Sequence, residues 1–277
     1  MNTCNPAIPP GLQKVPPFPP VAARLLTVLS SPEVEVAEVA ELIKSDPTLS
    51  ARMLRCINSA AFGLGRQVSD MRQAVGLLGF ERTRQITAMC ATATFARGTR
   101  NNAELQICWL HSMATAILAT EIATSCNAFE KVAFTAGILH DIGRLGLIVA
   151  YPSRYANSMR EAIGRCVDFL DFEREQFGLD HAEAGRLLAE SWELPDQFRM
   201  VAGRHHDPCE GTEVDLIRIV HVACRLADSL GYGMAPPRAD SNLAAILESL
   251  PETARKHLKL TEEELKARIE ERIHAII

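Results

Sequence analysis

Helical periodicity is what most restricts the folds open to this chain. From Val21 onward its apolar residues recur at three- and four-residue steps, and no run of alternating apolar and polar residues interrupts them. Val21, Leu25, Val28 and Leu29 form one stripe, closed by Ser31 and Pro32, and Val36, Val39 and Ile43 form the next, stopped at Asp46 and Pro47. Asp46 is placed to cap a third helix: its carboxylate can accept from the free N–H groups of the first turn, and Pro47 loses no hydrogen bond at the first helical position. Leu49, Met53 and Ile57 then share the inner face. A break is expected at Gly79, and the polar stretch 96–104 marks a subdomain boundary. Residues 105–126 are apolar nearly all round, as in a central buried helix. Asp180 with Glu183, and Thr261 with Glu264, have capping-box spacing. The helix after Thr261 carries a Leu265, Ile269 and Ile273 stripe suited to docking on this domain or on a partner. The expectation is an all-α protein: a Pro-rich lead-in (1–15), an N-terminal helical subdomain (16–97) packed on a helical core (105–232), and a C-terminal helical tail (237–277).

A net charge of -5 and a pI near 5.9 give no overall attraction to nucleic acid or anionic membranes. The second and third helices have helix-turn-helix proportions, but the would-be recognition helix carries only Arg52 and Arg55, and ordinary packing of two helices accounts for it. The eight cysteines are scattered with no CxxC pair, which argues against a cysteine zinc site. No apolar leader precedes them, and no segment approaches the ~20 apolar residues of a membrane span. The expectation is a reduced, cytoplasmic protein with no membrane or nucleic-acid partner, its cysteines mostly small core residues.

The chemistry concentrates in the stretch AGILHDIGRLGLI, where His140 and Asp141 interrupt an apolar run. His111, His181, His205 and His206 also fall in helical segments that read as inward-facing. Phe198, Val201 and Ala202 share a face with His205. Neutral imidazole is a common metal ligand, and a carboxylate between two ions can bridge them. Neighbouring residues of a helix project about 100° apart, so His140 and Asp141 would flank an ion rather than line one face. A lone histidine on an apolar helix is more often a hydrogen-bonded core residue. Several buried together would be costly without partners. The residues alone leave both readings open. His257 and His274 lie in the charged tail and are expected to face solvent.

At these positions the sequence resembles the HDOD family, a bacterial branch of the HD superfamily of metal-dependent phosphohydrolases. The resemblance runs from about Pro16 to about Gly231. It is carried by VPPFPPVAARLLTVLSSPEVEVAEVAELIKSDPTLSARMLRCINSAAFG and VSDMRQAVGLLGFERTRQI in the first half. In the second half it is carried by WLHSMATA, AFTAGILHDIGRLGL, FGLDHAEAGRLLAESWELPD, the His205-His206 pair with Pro208, and Leu226 to Asp228. It implies an N-terminal helical subdomain on an HD-like core, and a role in bacterial signalling or regulation. It also implies a divalent metal, Fe, Mn or Zn, in one or two sites. By motif, one ion would take His111, His140, Asp141 and Asp228, and a second Asp141, His181, His205 and His206. His221, on the same face as Asp228, is a rival ligand. Arg144 stands where the related HD-GYP phosphodiesterases have lysine, and would hold a phosphate. Ile107 replaces the glutamate of the trinuclear pattern, and DPCEGTEVD after His206 has no GYP motif. The expected function is a signalling module whose partner is a signalling protein or a small phosphorylated ligand, with homo-oligomerisation also open. The alternative is a phosphohydrolase acting on a nucleotide or other phosphoester.

Overall fold

The computed structural model describes residues 8–59, 64, 67–97, 102–207, 213–235, 243–258 and 261–276, and among these it is helical with no strand. Four helices build the N-terminal unit: α1 (Pro20–Val28), α2 (Val36–Lys44), α3 (Pro47–Ile57) and α4 (Met71–Arg97). The punctuation read from sequence is what shapes them. Pro20 opens α1, and Asp46 Oδ1 accepts from the N–H groups of Thr48 at 2.9 Å and Leu49 at 3.0 Å. Gly79 breaks α4 with φ 73° and ψ 168°, a conformation that suits glycine. Their core is apolar: Leu25, Leu29, Val39, Ile43, Leu49, Met53, Ile57 and Val75 are all buried.

The C-terminal unit comprises α5 (Ala103–Cys126), α6 (Glu130–Leu139), α7 (Ile142–Ala150), α8 (Pro152–Arg165), α9 (Phe169–Phe177), α10 (His181–Ser191), α11 (Asp196–Arg204) and α12 (Leu216–Ala227). Helix α5 is central, packed between α6 and α12, while α10 packs on α7 and α11. The two units share α4, whose early residues fill the first core and whose Ala88 and Ala91 enter the second. Arg84 spans the junction: its guanidinium donates to the carbonyl of Leu29 at the end of α1 and, at 2.7 Å, to that of Lys131 in α6.

Two expectations change here and one is narrowed. The lead-in is partly core, because Leu12 and Val15 pack into the C-terminal unit, as does Phe18 just beyond it, which stacks on Trp192 at 5.5 Å. The tail docks on its own domain: α13 (Leu243–Leu247), α14 (Glu252–His257) and α15 (Glu262–Ile276) follow, and Leu265, Ile269 and Ile273 are buried in the same core. A reciprocal box starts α15, with Thr261 N donating to Glu264 Oε2 at 2.7 Å and Glu264 N to Thr261 Oγ1 at 3.2 Å. Finally, Ala103–Cys126 and Glu130–Ala150 are long and apolar enough to cross a bilayer, contrary to the sequence reading. Their most apolar windows are 67% and 89% buried inside the protein, so their apolarity serves the core. The side chains of His257 and His274, and the loop around Pro208, lie outside the described residues.

Candidate metal centre

His140 and Asp141 do not continue a helix, as adjacent helical projections would require. They form the turn between α6 and α7, with His140 as the last cap of one and Asp141 before the first residue of the other. The Asp141 carboxylate makes no cap bond to α7 and turns instead to the interior. Two glycines bring the partners within reach. A Cβ on Gly137 would collide with the Ala116 backbone, so its absence lets α6 lie against α5 and sets His140 beside His111. A Cβ on Gly143 would strike the backbone of His181 and Gly185, so α7 approaches α10 closely enough for Asp141 and Arg144 to meet His181.

His111, His140, Asp141, His181 and His205 are all buried, and His206 is partly so. For His140, His181 and His205, hydrogen bonds to oxygen set which ring nitrogen carries the proton. His140 Nδ1 donates to Gly137 O at 2.7 Å, and His205 Nδ1 to the carbonyls of Val201 and Ala202 at 3.1 and 3.2 Å. His181 Nδ1 donates to Glu173 Oε2 at 2.6 Å, and Glu173 is anchored in turn by Tyr155 Oη at 2.6 Å and by the His181 N–H at 2.8 Å. Every Nε2 so freed faces inward. His140 Nε2 lies 3.2 Å from His111 Nε2, and His181 Nε2 lies 2.8 Å from His206 Nε2. Asp141 Oδ1 lies 3.4 Å from His181 Nε2 and 3.6 Å from His205 Nε2.

Arg144 bridges the acidic side. Its Nε donates to Asp141 Oδ2 at 2.9 Å, one terminal nitrogen reaches His181 Nε2 at 2.9 Å, and the other stands 4.0 Å from Glu173. Burial would raise the Asp141 carboxyl, but Arg144 and the adjacent imidazoles hold it well below the usual carboxylate range. Burial would likewise raise Glu173, yet His181 and Arg144 hold it low. Burial pushes His140, His205 and His206 below the ordinary imidazole value, so they are neutral.

Asp141 and Glu173 are carboxylates, Arg144 is the buried guanidinium between them, and the imidazoles offer lone pairs. Asp141 Oδ1, His205 Nε2 and His111 Nδ1 are buried without a hydrogen-bond partner. Each such atom costs about 1–3 kcal/mol if left bare. A divalent ion among the Nε2 atoms and Asp141 would satisfy the first two and offset the net negative charge. The donor set fits: His140, Asp141 and His205 offer atoms within 4.8 Å of one another, as do His181, His205 and His206, and His111, His140 and Cys224.

A family model for the HDOD domain matches residues 15–208, well over half of the chain. The chain belongs to the HDOD family. An HDOD domain protein with unknown function from Geobacter sulfurreducens is similar in structure, with 24% identity, a TM-score of 0.75, and 94% of this chain and 90% of that one covered. A phosphohydrolase candidate from Shewanella amazonensis SB2B is 25% identical, with a TM-score of 0.66 over 93% of this chain and 96% of its own. An uncharacterized protein of Treponema pallidum (strain Nichols) is 23% identical over 198 residues, and the chain spans only 38% of that relative's length. The HDOD match takes in His111 through His206 and ends before Asp228.

Within this HDOD domain, six of the seven expected ligands converge. The seventh, Asp228, stands apart: its side chain is 52% exposed, and Oδ1 meets His111 from the Nδ1 edge at 3.5 Å. His221 is engaged elsewhere, its Nδ1 donating to the His205 carbonyl at 2.8 Å. Arg144, expected to hold a phosphate, is buried and directed at Asp141 and His181 rather than at solvent. Sequence reasoning missed Glu173 and Tyr155, which reach the cluster from α9 and α8. It also missed Cys224, whose Sγ lies 3.5 Å from His111 Nε2. For Cys224 a signal existed: it lies one turn before Asp228, on the same helical face.

Proposed function

We propose that this protein is an HDOD regulatory module that holds one divalent ion at His111, His140, Asp141 and His205, and that the ion fixes the helices meeting there. The observation that carries this reading is the convergence of proton-free Nε2 atoms on Asp141 in a buried, net-negative pocket. One ion is favoured over two because Arg144 already sets a positive charge against Asp141 and His181. Near-complete enclosure of His140, Asp141, His181 and His205 favours a closed, structural ion over a site that keeps an open position for substrate. The partner would be a signalling protein or a small phosphorylated ligand, in the cytoplasm.

A phosphohydrolase reading has a specific observation behind it as well. A cleft of about 380 Å³ lined by Arg174, Asp180, Glu183, Arg186, His206 and Asp207 reaches the histidine cluster at His206. The name given to the Shewanella relative points the same way. A bound ion would supply Lewis acidity and a water of lowered pKa there. Arg174 and Arg186 would then hold a phosphate at the mouth, and Arg144 would keep Asp141 oriented. Elemental analysis of protein purified without chelator or affinity histidines tests the first reading. A near-stoichiometric ion is expected in the parent and none in a His140→Ala/Asp141→Ala variant; metal absent from both removes the site. Turnover of any phosphoester by the loaded protein, lost in the same variant, would replace the regulatory reading with the hydrolytic one.

A further inference from the structure

The HDOD match ends before α12, so the contribution of that helix to the centre has to be read from geometry. Helix α12 packs along α5 and presents two residues to His111: Cys224 and, one turn later, Asp228. They meet opposite edges of the ring. Asp228 Oδ1 lies 3.5 Å from Nδ1 and its side chain is half open to solvent. Cys224 is buried, with Sγ 3.5 Å from Nε2, the edge that also faces His140 Nε2 at 3.2 Å.

These separations are those of neighbouring ligands on one ion. With metal–nitrogen bonds of about 2.0–2.1 Å and a metal–sulfur bond of about 2.3 Å, nitrogens stand about 3.3 Å apart and nitrogen stands about 3.6 Å from sulfur. A second observation points to an ion beside this trio. His140 shares its group with the unpartnered Asp141 Oδ1 and His205 Nε2, both buried, and Asp141 Oδ2 lies 3.8 Å from His111 Nε2.

Resting on the metal reading above, we infer that Cys224, and not Asp228, is the ligand α12 supplies, and that Asp228 is a positioning residue that fixes the His111 tautomer. Without an ion, one of the two facing Nε2 atoms of His111 and His140 carries a proton, and His140 already has its proton on Nδ1. On binding, the His111 proton sits on Nδ1 facing Asp228, both Nε2 lone pairs turn to the ion, and the Cys224 thiol loses its proton to solvent as the sulfur–metal bond forms. Asp228 would then hold His111 from its Nδ1 side, the role that Glu173 has at His181. A thiolate ligand favours Zn or Fe over Mn, narrowing a choice that imidazole and carboxylate leave open.

The test is Co(II) loading of the full chain, read by absorption, with affinity measured by chelator competition. The parent protein is expected to show a sulfur-to-cobalt charge-transfer band in the near ultraviolet. Cys224→Ser should lose the band, while Cys108→Ser, which removes another buried thiol, should keep it. Asp228→Asn should keep the band and bind about 10–100-fold more weakly. Zinc-edge X-ray absorption of the parent needs no variant, and should find a sulfur at about 2.3 Å. Cobalt binding without the band, a band that survives Cys224→Ser, or a zinc shell of nitrogen and oxygen alone would overturn the Cys224 assignment and leave the metal site standing. A parent chain that binds neither cobalt nor zinc would overturn both.

Discussion

The two units are built from the same helical material, yet their centres differ in kind. Around Met53 and Ile57 the N-terminal core is a cluster of apolar side chains. Around His140 the C-terminal core surrounds a polar centre with apolar walls such as Ile117, Leu139, Phe198 and Val220. Each region also contains a buried arginine. Arg84 donates to the backbone carbonyls of Leu29 and Lys131, which are neutral acceptors already present at helix ends. Arg144 faces the carboxylates of Asp141 and Glu173, which outnumber it. The first core is an assembly of apolar side chains, whereas the second contains buried polar atoms that could hold a metal ion.

Cutting one side chain from each centre gives the largest expected effects. Asp141→Ala takes from Arg144 its nearest carboxylate and leaves it only Glu173 at 4.0 Å, and losing one member of a buried pair costs about 3–5 kcal/mol. Met53→Ala opens a cavity in the dry core and costs about 2–5 kcal/mol. The two are distinguished by added zinc. Met53→Ala should keep the full metal-induced rise in Tm of the parent, and Asp141→Ala should lose it. Equal loss in both would mean that the ion stabilises the chain as a whole and that the contrast between the cores is false.

Much of this contrast was legible in the residues. Helix ends marked by Asp46-Pro47, Pro20 and Thr261 carry their reason locally, in a free N–H or a missing one, so sequence reveals them directly. The inward direction of His205 followed from Phe198, Val201 and Ala202. What sequence could not show was the distance between helices. Gly137 and Gly143 read as helix-weakening residues until the backbones they admit are seen, and that approach is what joins His140 to His111 and Arg144 to His181. Nothing in the segment of Glu173 indicates that Tyr155 and His181 enclose it. Asp228 stood out through the Leu226 to Asp228 motif, and Cys224 one turn earlier belongs to no motif. The direction of the helix, not the residue type, decides which of the two reaches the cluster.

Acid should act on one unit before the other. None of the eight histidines precedes residue 111. Burial depresses His140 and His205, so below about pH 6.5 the unfolded chain binds protons that the folded one does not, and stability falls as pH falls. The effect is roughly 1 kcal/mol per buried histidine for each pH unit below that value. Asp141 and Glu173, also depressed, add a second loss below about pH 4. Both tryptophans, Trp109 and Trp192, lie in the C-terminal unit, so fluorescence follows that unit while far-ultraviolet dichroism follows all helices. In chelator, the fluorescence midpoint in urea should drop on going from about pH 7.5 to about pH 5.5. A midpoint unmoved by pH would mean that the histidines are solvated in the folded state.

The finest comparison uses one device that both units share. Asp46 caps α3, and Asp180 caps α10 by accepting from Glu183 N at 2.8 Å. Replacing either by alanine removes a cap and should cost about 0.5–2 kcal/mol, and Asp180→Ala also frees Arg174 from one of its ion pairs. Their consequences beyond stability should differ, because α3 begins with Pro47 and α10 begins with His181. Fraying of the first turn of α3 disturbs only apolar packing around Leu49. Fraying of α10 loosens the His181 N–H from Glu173, and with it the ring that faces Asp141 and His206. Asp180→Ala should therefore weaken zinc binding measurably by chelator competition, while Asp46→Ala should melt earlier and bind zinc as the parent does. Equal zinc affinity in the two variants would show that His181 is held by Glu173 alone and that the start of α10 is no more than a helix end.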